Sequence, residues 1–231
     1  MSIATSSATP VHDPELSQFE YFQVSTLSDA MLALGLKDTA LGPTVRLLVG
    51  KRILGRARTI GRVPLPSNGG QQEIKPAFSL AIQEVIDGCG PGSIMVIATQ
   101  GIATHANWGG NMATRAAAVG ALGLITDGAI RDLEEMGPLG MTIFAQGTSP
   151  RAGHYRFATA IRNEPVICAG VLIRPGDIIV GDADGVVVID PAQAGAIAAK
   201  ARELVAVEEE MQGFMRTGAT LQDAVRKYKV R

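Results

Sequence analysis

Two short stretches carry the residue types best suited to chemistry. Arg131-Asp132 sets a cation beside a carboxylate just past the apolar run 122–126. Ligands in open α/β sheets tend to sit beyond the carboxyl ends of strands. An Arg and an Asp in succession are also unsuited to a dry core. The bland alternative is a surface ion pair, or Asp132 capping the Leu133-Glu-Glu-Met segment. The second stretch is Gly109-Gly110-Asn111-Met112, where a glycine-rich loop meets an Ala-rich run. Such a junction leaves backbone N–H groups pointing outward, and with the helix dipole they favour an anion. Gly109 and Gly110 permit close approach to the backbone, and Asn111 and Met112 supply the first helical amides. A plain turn is the alternative.

These stretches need strands and helices to hold them. Residues 93–98, Ser-Ile-Met-Val-Ile-Ala, form a short apolar run typical of a buried strand, and 122–126 form a second, followed by a turn at Asp127-Gly128. Helices are expected over 74–86 and 112–119. A helix start near Thr26 ends at Gly35. Short strands are expected within 45–63, at 143–145, over 166–171, 178–180 and 186–189, and Pro191 opens a long Ala-rich helix to about Met215. A last helix spans about 221–227. Alternating helices and buried strands predict one layered α/β domain over 21–231. Residues 1–20, with Pro10, Asp13 and Pro14 and no periodicity, read as a flexible tail.

Composition limits the partners. Of 231 residues, 21 are Lys or Arg and 22 are Asp or Glu, a net charge of −1 that argues against nucleic-acid binding. The apolar fraction of 46% fits a sizeable core, which aromatics at 4% leave to Ala, Val, Ile and Leu. No apolar run is long enough to span a membrane, and the amino terminus lacks the pattern of a secretory signal. A cytoplasmic protein is expected. Cys89 and Cys168 are far apart and read as buried free thiols.

The run G-x-x-G-x-x-x-D-G-x-x-R-D at Gly120 to Asp132 resembles the RraA-like proteins. That family includes the class II 4-hydroxy-4-methyl-2-oxoglutarate / 4-carboxy-4-hydroxy-2-oxoadipate aldolases and oxaloacetate decarboxylases. Gly170-Val-Leu-Ile-Arg-Pro-Gly-Asp, Asp182-Ala-Asp-Gly-Val-Val-Val-Ile and Thr26-Leu-Ser-Asp-Ala extend the resemblance over about 22–228. It implies a compact α/β sandwich with a swivelling β/β/α core, assembled as homotrimers or homohexamers, with the site between protomers. It implies that Asp132 holds Mg²⁺ or Mn²⁺, partly through waters. Arg131 would contact the keto-acid end of the substrate, and the Gly110, Asn111 and Met112 backbone would hold the pyruvate carboxylate. The implied reaction cleaves a C–C bond of a small 2-keto acid, by retro-aldol cleavage or decarboxylation, leaving a pyruvate enolate.

One departure stands out. The aldolases carry an acidic residue, then twenty residues, then Arg-Asp; counting back from Arg131, that position is Gly110. In the aldolases this carboxylate helps order the metal waters and the base. Its absence weighs more against aldol cleavage than against decarboxylation or metal binding. His105 or Asn111 are the nearby compensating groups, and Glu208 is the candidate for a glutamate lent by a neighbouring protomer. The departure keeps two alternatives in view. One is a metal-assisted reaction on a sugar acid or hydroxy acid. The other is a non-enzymatic regulator of a ribonuclease, against which the intact Arg131-Asp132 argues. A methyl-donor or dinucleotide G-x-G-x-x-G fingerprint after a strand is absent.

Other residues are weighed more briefly. His105 could be a base, a ligand or an ordinary loop hydrogen-bonder. Arg151, His154 and Arg156 share a loop that could bind a distal carboxylate, Arg being suited to bidentate contacts. Trp108 walls a pocket or fills the core. Gln71 and Gln72, in the Asn68-Gly-Gly-Gln-Gln-Glu run, could face substrate, and His12 lies in the tail. Glu208-Glu-Glu reads as a solvated helix face, and Arg46, Lys51, Arg52, Arg56 and Arg58 as a structural or interfacial cluster.

Overall fold

The structure is a computed structural model that describes residues 13–65, 82–154 and 156–229. His12, Gln71 and Gln72, and the first part of the helix expected over 74–86, lie outside the described residues. Seven helices are numbered here: α1 (Pro14–Ser17), α2 (Val24–Ala33), α3 (Ile82–Asp87), α4 (Gly110–Ala118), α5 (Leu133–Met136), α6 (Ala194–Arg216) and α7 (Leu221–Tyr228). The strands are β1 (Arg46–Val49), β2 (Ile53–Pro64), β3 (Ser93–Ala98), β4 (Ala106–Trp108), β5 (Gly123–Ile130), β6 (Thr142–Thr148), β7 (Phe157–Arg162), β8 (Val166–Cys168), β9 (Val171–Ile173), β10 (Ile178–Asp182) and β11 (Gly185–Ile189).

A mixed sheet runs β1-β6-β5-β3-β2-β10-β11, with β4 added to β5 and β7 to β2. Its centre is parallel: β2 with β3, β3 with β5, and β5 with both β4 and β6. Every residue of β3 and of β5 is buried. That explains why these strands read as continuous rather than alternating apolar runs: layers cover both faces. On one face Met95, Ile97, Leu124, Ile130 and Trp108 pack under α3, α4 and α5. On the other, Ile94, Val96 and Ile125 meet the β8–β9 hairpin. A third cluster joins α2 and α6 to β10 and β11. Full burial of each such aliphatic side chain contributes about 1.5–3 kcal/mol. The expected layered α/β class is therefore what the chain forms.

Three local expectations change. Residues 13–20 of the expected tail are packed against the body. Asp13 and Glu15 accept from the Arg56 guanidinium at 2.8 and 2.5 Å, Phe19 is fully buried, and Arg52 donates to the Phe19 and Phe22 carbonyls at 2.7 Å. One aromatic anchor and two ion pairs leave no periodic trace in sequence. Asp127-Gly128 is no turn but lies inside β5, at a register irregularity between Thr126 and Ala129. The helix after Pro191 opens as a 3₁₀ turn, Pro191–Gln193, capped by Asp190 onto the Ala192 amide at 2.9 Å, before α6 begins. Strands β4 and β7 were not anticipated, being a three-residue stretch in a glycine-rich loop and a polar-flanked run.

Candidate active site

The parallel strands β3 and β5 end on the same side, and the chain turns there twice. Beyond β4 it passes through Gly109 into α4; beyond β5 it passes through Arg131 and Asp132 into α5. The two turns are tied together by the Arg131 amide, which donates to the Trp108 carbonyl at 3.0 Å. Met136, fully buried, anchors the α5 turn in the core beneath α4. Trp108 is 1% exposed and belongs to the same core, so it acts as a packing aromatic rather than an open pocket wall.

Asp132 has φ +60° and ψ +39°, a left-handed backbone that costs most L residues about 1–2 kcal/mol and that Asp tolerates better than most. The conformation turns its carboxylate away from its own helix. Asp132 stands at the start of α5 without capping it through its side chain. Its Oδ2 instead accepts the Gly110 amide, the first of α4, at 3.0 Å. Oδ2 also lies 3.5 Å from Arg131 Nε. The anion thus sits at the positive end of the nine-residue helix α4, where the dipole favours it. Both side chains remain reachable from solvent, at 44% exposure for Arg131 and 36% for Asp132.

The two glycines leave space that neighbouring side chains occupy. Gly109 has φ −159°, which any residue adopts, but a Cβ there would sit 2.7 Å from Asp132 Oδ2 and 3.2 Å from Arg131 Nε. A Cβ on Gly110 would overlap Glu135 Oε2, at 2.9 Å from Glu135 Cδ and 3.6 Å from Asp132 Cβ. Glu135 lies on α5, its amide donating to the Asp132 carbonyl at 3.1 Å. Three carboxylate or guanidinium side chains, those of Arg131, Asp132 and Glu135, therefore converge on the backbone of two glycines. The Gly110 amide is taken by Asp132, so of the three backbone positions expected to meet substrate, Asn111 and Met112 have the amides left over. Neither amide has a partner among the described residues, as the first turn of a helix predicts.

Asp127 and Glu135 are the residues the sequence reading passed over. The Asp127 carboxylate, 5% exposed, accepts the Thr99 amide at 2.6 Å, the Thr99 hydroxyl at 3.1 Å, the Gly101 amide at 3.0 Å and the Ala169 amide at 3.4 Å. It fixes the loop leaving β3. A lone Asp inside an apolar run was the signal. For Glu135 the signal was a carboxylate three residues past Asp132.

The remaining candidates lie around this centre or away from it. His105 Nδ1 is 3.1 Å from the Thr104 hydroxyl. The loop with Arg151, His154 and Arg156 packs beside it: the Ala106 amide donates to the Arg151 carbonyl at 2.8 Å and the Ser149 hydroxyl to the Thr104 carbonyl at 3.0 Å. Glu208 borders a groove between α2 and α6, with Asp29 and Met211. That groove lies along the two helices that carry the third apolar cluster, away from the core under α4. The strand-face cations are structural where partners are seen, as for Arg52 and Arg56. A cleft of about 430 Å³ opens at the amino end of β3, the other end from Arg131, and is crossed by Arg56 and Asp13.

The donor set suits a hard cation held by few protein ligands. Among the described residues no group of three or more His, Cys, Asp or Glu side chains could enclose a metal. Asp132 and Glu135 offer oxygen ligands only, on a surface open to water. Mg²⁺ is commonly held by one or two carboxylates while keeping several waters. No helix among the described residues is long and apolar enough to cross a membrane.

A family model described as "RraA-like: Aldolase/RraA" matches residues 24–188. A "Putative 4-hydroxy-4-methyl-2-oxoglutarate aldolase" of Halalkalibacterium halodurans is 33% identical over 195 residues, covering 84% of this chain and 85% of that protein. An uncharacterised protein of Pseudomonas syringae pv. tomato superposes with a TM-score of 0.77 at 27% identity, over 94% of this chain and 99% of that one. Streptomyces coelicolor RraAS2, described as an unusual member of the RNase ES inhibitor RraA family, superposes with a TM-score of 0.75 at 25% identity, over 91% and 100%.

Proposed function

Because the chain belongs to the RraA-like family, we propose that it is a divalent-metal-dependent lyase that cleaves a C–C bond of a small 2-keto acid and releases pyruvate. The observation that carries this reading is the Asp132 carboxylate. It is carried by a left-handed residue at the start of α5 and reaches the amino end of α4, beside Arg131 and beside two unpartnered helical amides. The sequence relative named as an aldolase supports the same class.

Asn111 and Met112 would receive the substrate carboxylate at the α4 amino end, where amides and dipole both favour an anion. Asp132 would hold Mg²⁺ or Mn²⁺, partly through waters. Bound there, the ion supplies Lewis-acid stabilisation of negative charge on the 2-keto oxygen, an effect worth several kcal/mol. Arg131 adds a fixed positive charge on the same side, and removal of one such donor costs roughly 10²–10³ in rate. As the C3–C4 bond, one removed from the keto carbon, breaks, its electron pair forms the C2–C3 double bond and the carbonyl pair moves onto the 2-keto oxygen. The departing fragment leaves as CO₂ from oxaloacetate, or as a carbonyl compound from a 4-hydroxy acid. Protonation of the methylene carbon then gives pyruvate. Only the aldol route needs a base, to take the proton of the C4 hydroxyl as that oxygen becomes the carbonyl of the departing fragment. Assembly as a homotrimer or homohexamer belongs to the same proposal and finds support in Tyr21 and Leu32, exposed at 87% and 76%. A cytoplasmic location is part of the same proposal.

The test is pyruvate release, coupled to lactate dehydrogenase, from oxaloacetate and from 4-hydroxy-4-methyl-2-oxoglutarate. Each is run with Mg²⁺, with Mn²⁺ and with EDTA. Turnover that needs the ion and disappears in Asp132→Gly is expected. Pyruvate from neither substrate would overturn the reading for these acids. Inhibition of an endoribonuclease by the same preparation would then favour the regulator class represented by the RraA neighbours.

A further inference from the structure

We infer that Glu135 is the second carboxylate of the cation site at Asp132, and that Gly110 is glycine because the Glu135 head group occupies the space of its side chain. The inference rests on the proposed function only for the use made of the cation.

The geometry is specific to three residues. A Cβ on Gly110 would lie 2.9 Å from Glu135 Cδ and 3.6 Å from Asp132 Cβ, so both carboxyl-bearing chains come within van der Waals reach of one point. The backbone brings both residues to the same place. Asp132 is held by the Gly110 amide, and Glu135 follows on the same short turn, its amide bound to the Asp132 carbonyl at 3.1 Å. Glu135 has no ion pair among the described residues. Arg131 approaches Asp132 Oδ2 through Nε, on the Gly109 side of the pair. Two neighbouring carboxylates with one guanidinium beside Asp132 carry a net negative charge. A divalent ion satisfies it, and oxygen-only donors on an open surface suit Mg²⁺ or Mn²⁺ over softer metals. Glu134, the preceding residue on α5, is exposed and approaches neither glycine.

Gly110 matters because it makes a test possible without changing charge. An alanine there puts a methyl group where the Glu135 carboxylate lies. The flexible glutamate must swing away, and Asp132 keeps its own place. Gly110→Ala should then act like Glu135→Gln, although every charge is retained.

The experiment is Mn²⁺ binding to the full chain, read by the electron paramagnetic resonance of free Mn²⁺, with circular dichroism confirming the fold of each variant. Glu135→Gln and Gly110→Ala are each expected to weaken Mn²⁺ roughly tenfold or more, the range seen for supporting groups at metal sites. Glu134→Gln should stay within about twofold. Wild-type affinity in both Glu135→Gln and Gly110→Ala would overturn the inference, as would a wild-type chain that binds no Mn²⁺. Pyruvate release is measured alongside. If Mn²⁺ binding depends on Glu135 while no pyruvate forms, the lyase reading fails and the assignment of Glu135 stands. If pyruvate forms with the ion and Glu135→Gln binds and turns over as wild type, the reading stands and the assignment fails.

Discussion

The Asp132 carboxylate caps a helix other than its own: Oδ2 accepts the first amide of α4, that of Gly110, at 3.0 Å, and leaves α5 without a side-chain cap. The left-handed backbone of Asp132 makes this possible, and backbone held in that region commonly marks a functional site.

Stability and activity should therefore separate at Asp132. Asp132→Gly loses the carboxylate and the bond to Gly110, about 1 kcal/mol, but removes the left-handed cost of a similar size. Urea unfolding should place it within about 1 kcal/mol of wild type. Asp132→Ala loses the same bond and keeps the backbone cost, so it should be less stable than Asp132→Gly by about 1 kcal/mol. Both should lose pyruvate release by more than roughly 10². An active Asp132→Gly would remove Asp132 from the chemistry.

The α/β layering was legible because β3 and the first half of β5 are unbroken apolar runs, and Arg131-Asp132 stood out because polar residues directly follow one of them. What sequence could not give were the contacts between segments distant in the chain. Asp132 was readable as the cap of the residues after it; its true partner, Gly110, lies in the preceding strand-helix unit. Glu135 carries no reading of its own in the sequence, since nothing in a linear string says that its head group fills the space left by a glycine. Asp127-Gly128 is a common turn pair, and only the four donors around Asp127 make it a strand residue. Arg56 and the 13–20 segment meet through ion pairs that no periodicity encodes.

Asp127→Asn should be among the costliest conservative changes in the chain. Asp127 Oδ1 accepts both the amide and the hydroxyl of Thr99, and Oδ2 accepts the amides of Gly101 and Ala169. An Asn side chain has one acceptor oxygen, and its NH₂ would face donors wherever it pointed. The site is buried, so the lost and opposed bonds cost about 2–4 kcal/mol. Chemical denaturation measures this directly, and a loss below about 0.5 kcal/mol would mean that the carboxylate does not hold the loop.

The docking of α1 should depend on pH. Burial raises the Asp13 carboxyl, but the Arg56 hydrogen bond and the Glu15 and Leu16 amides outweigh it and hold the group below its ordinary 3.8. A carboxyl depressed in the folded state contributes stability that is fully present above its unfolded value and is lost as pH falls through the folded one. Wild type should therefore lose stability below about pH 4 partly through this contact. Asp13→Asn should be weaker by about 1 kcal/mol at neutral pH, the pair being partly exposed. It should also show a shallower acid limb in urea unfolding between about pH 2.5 and 6. Identical acid limbs would show that the Asp13–Arg56 contact contributes nothing to the fold.

The two cysteines should be inert in the folded chain. Cys89 is 8% exposed, its thiol lying 3.0 Å from Met95 Sδ, and burial pushes it up to about 11. Cys168 is fully enclosed, and burial, aided by the negative Asp127 carboxylate, raises it further still. The thiolate is the reactive form. At pH 8 only roughly one part in a thousand of Cys89 would be thiolate even with free access. Ellman's reagent should find almost no thiol over minutes in native protein and two per chain in guanidinium, matching the two cysteines of the sequence. The slow native rate should follow the opening of the core, rising with urea in step with unfolding. A thiol that reacts within seconds without denaturant would place Cys89 or Cys168 on an accessible surface, and would mean that the packing of β3 against α3, or of the β8–β9 hairpin against the sheet, is looser than the buried contacts require.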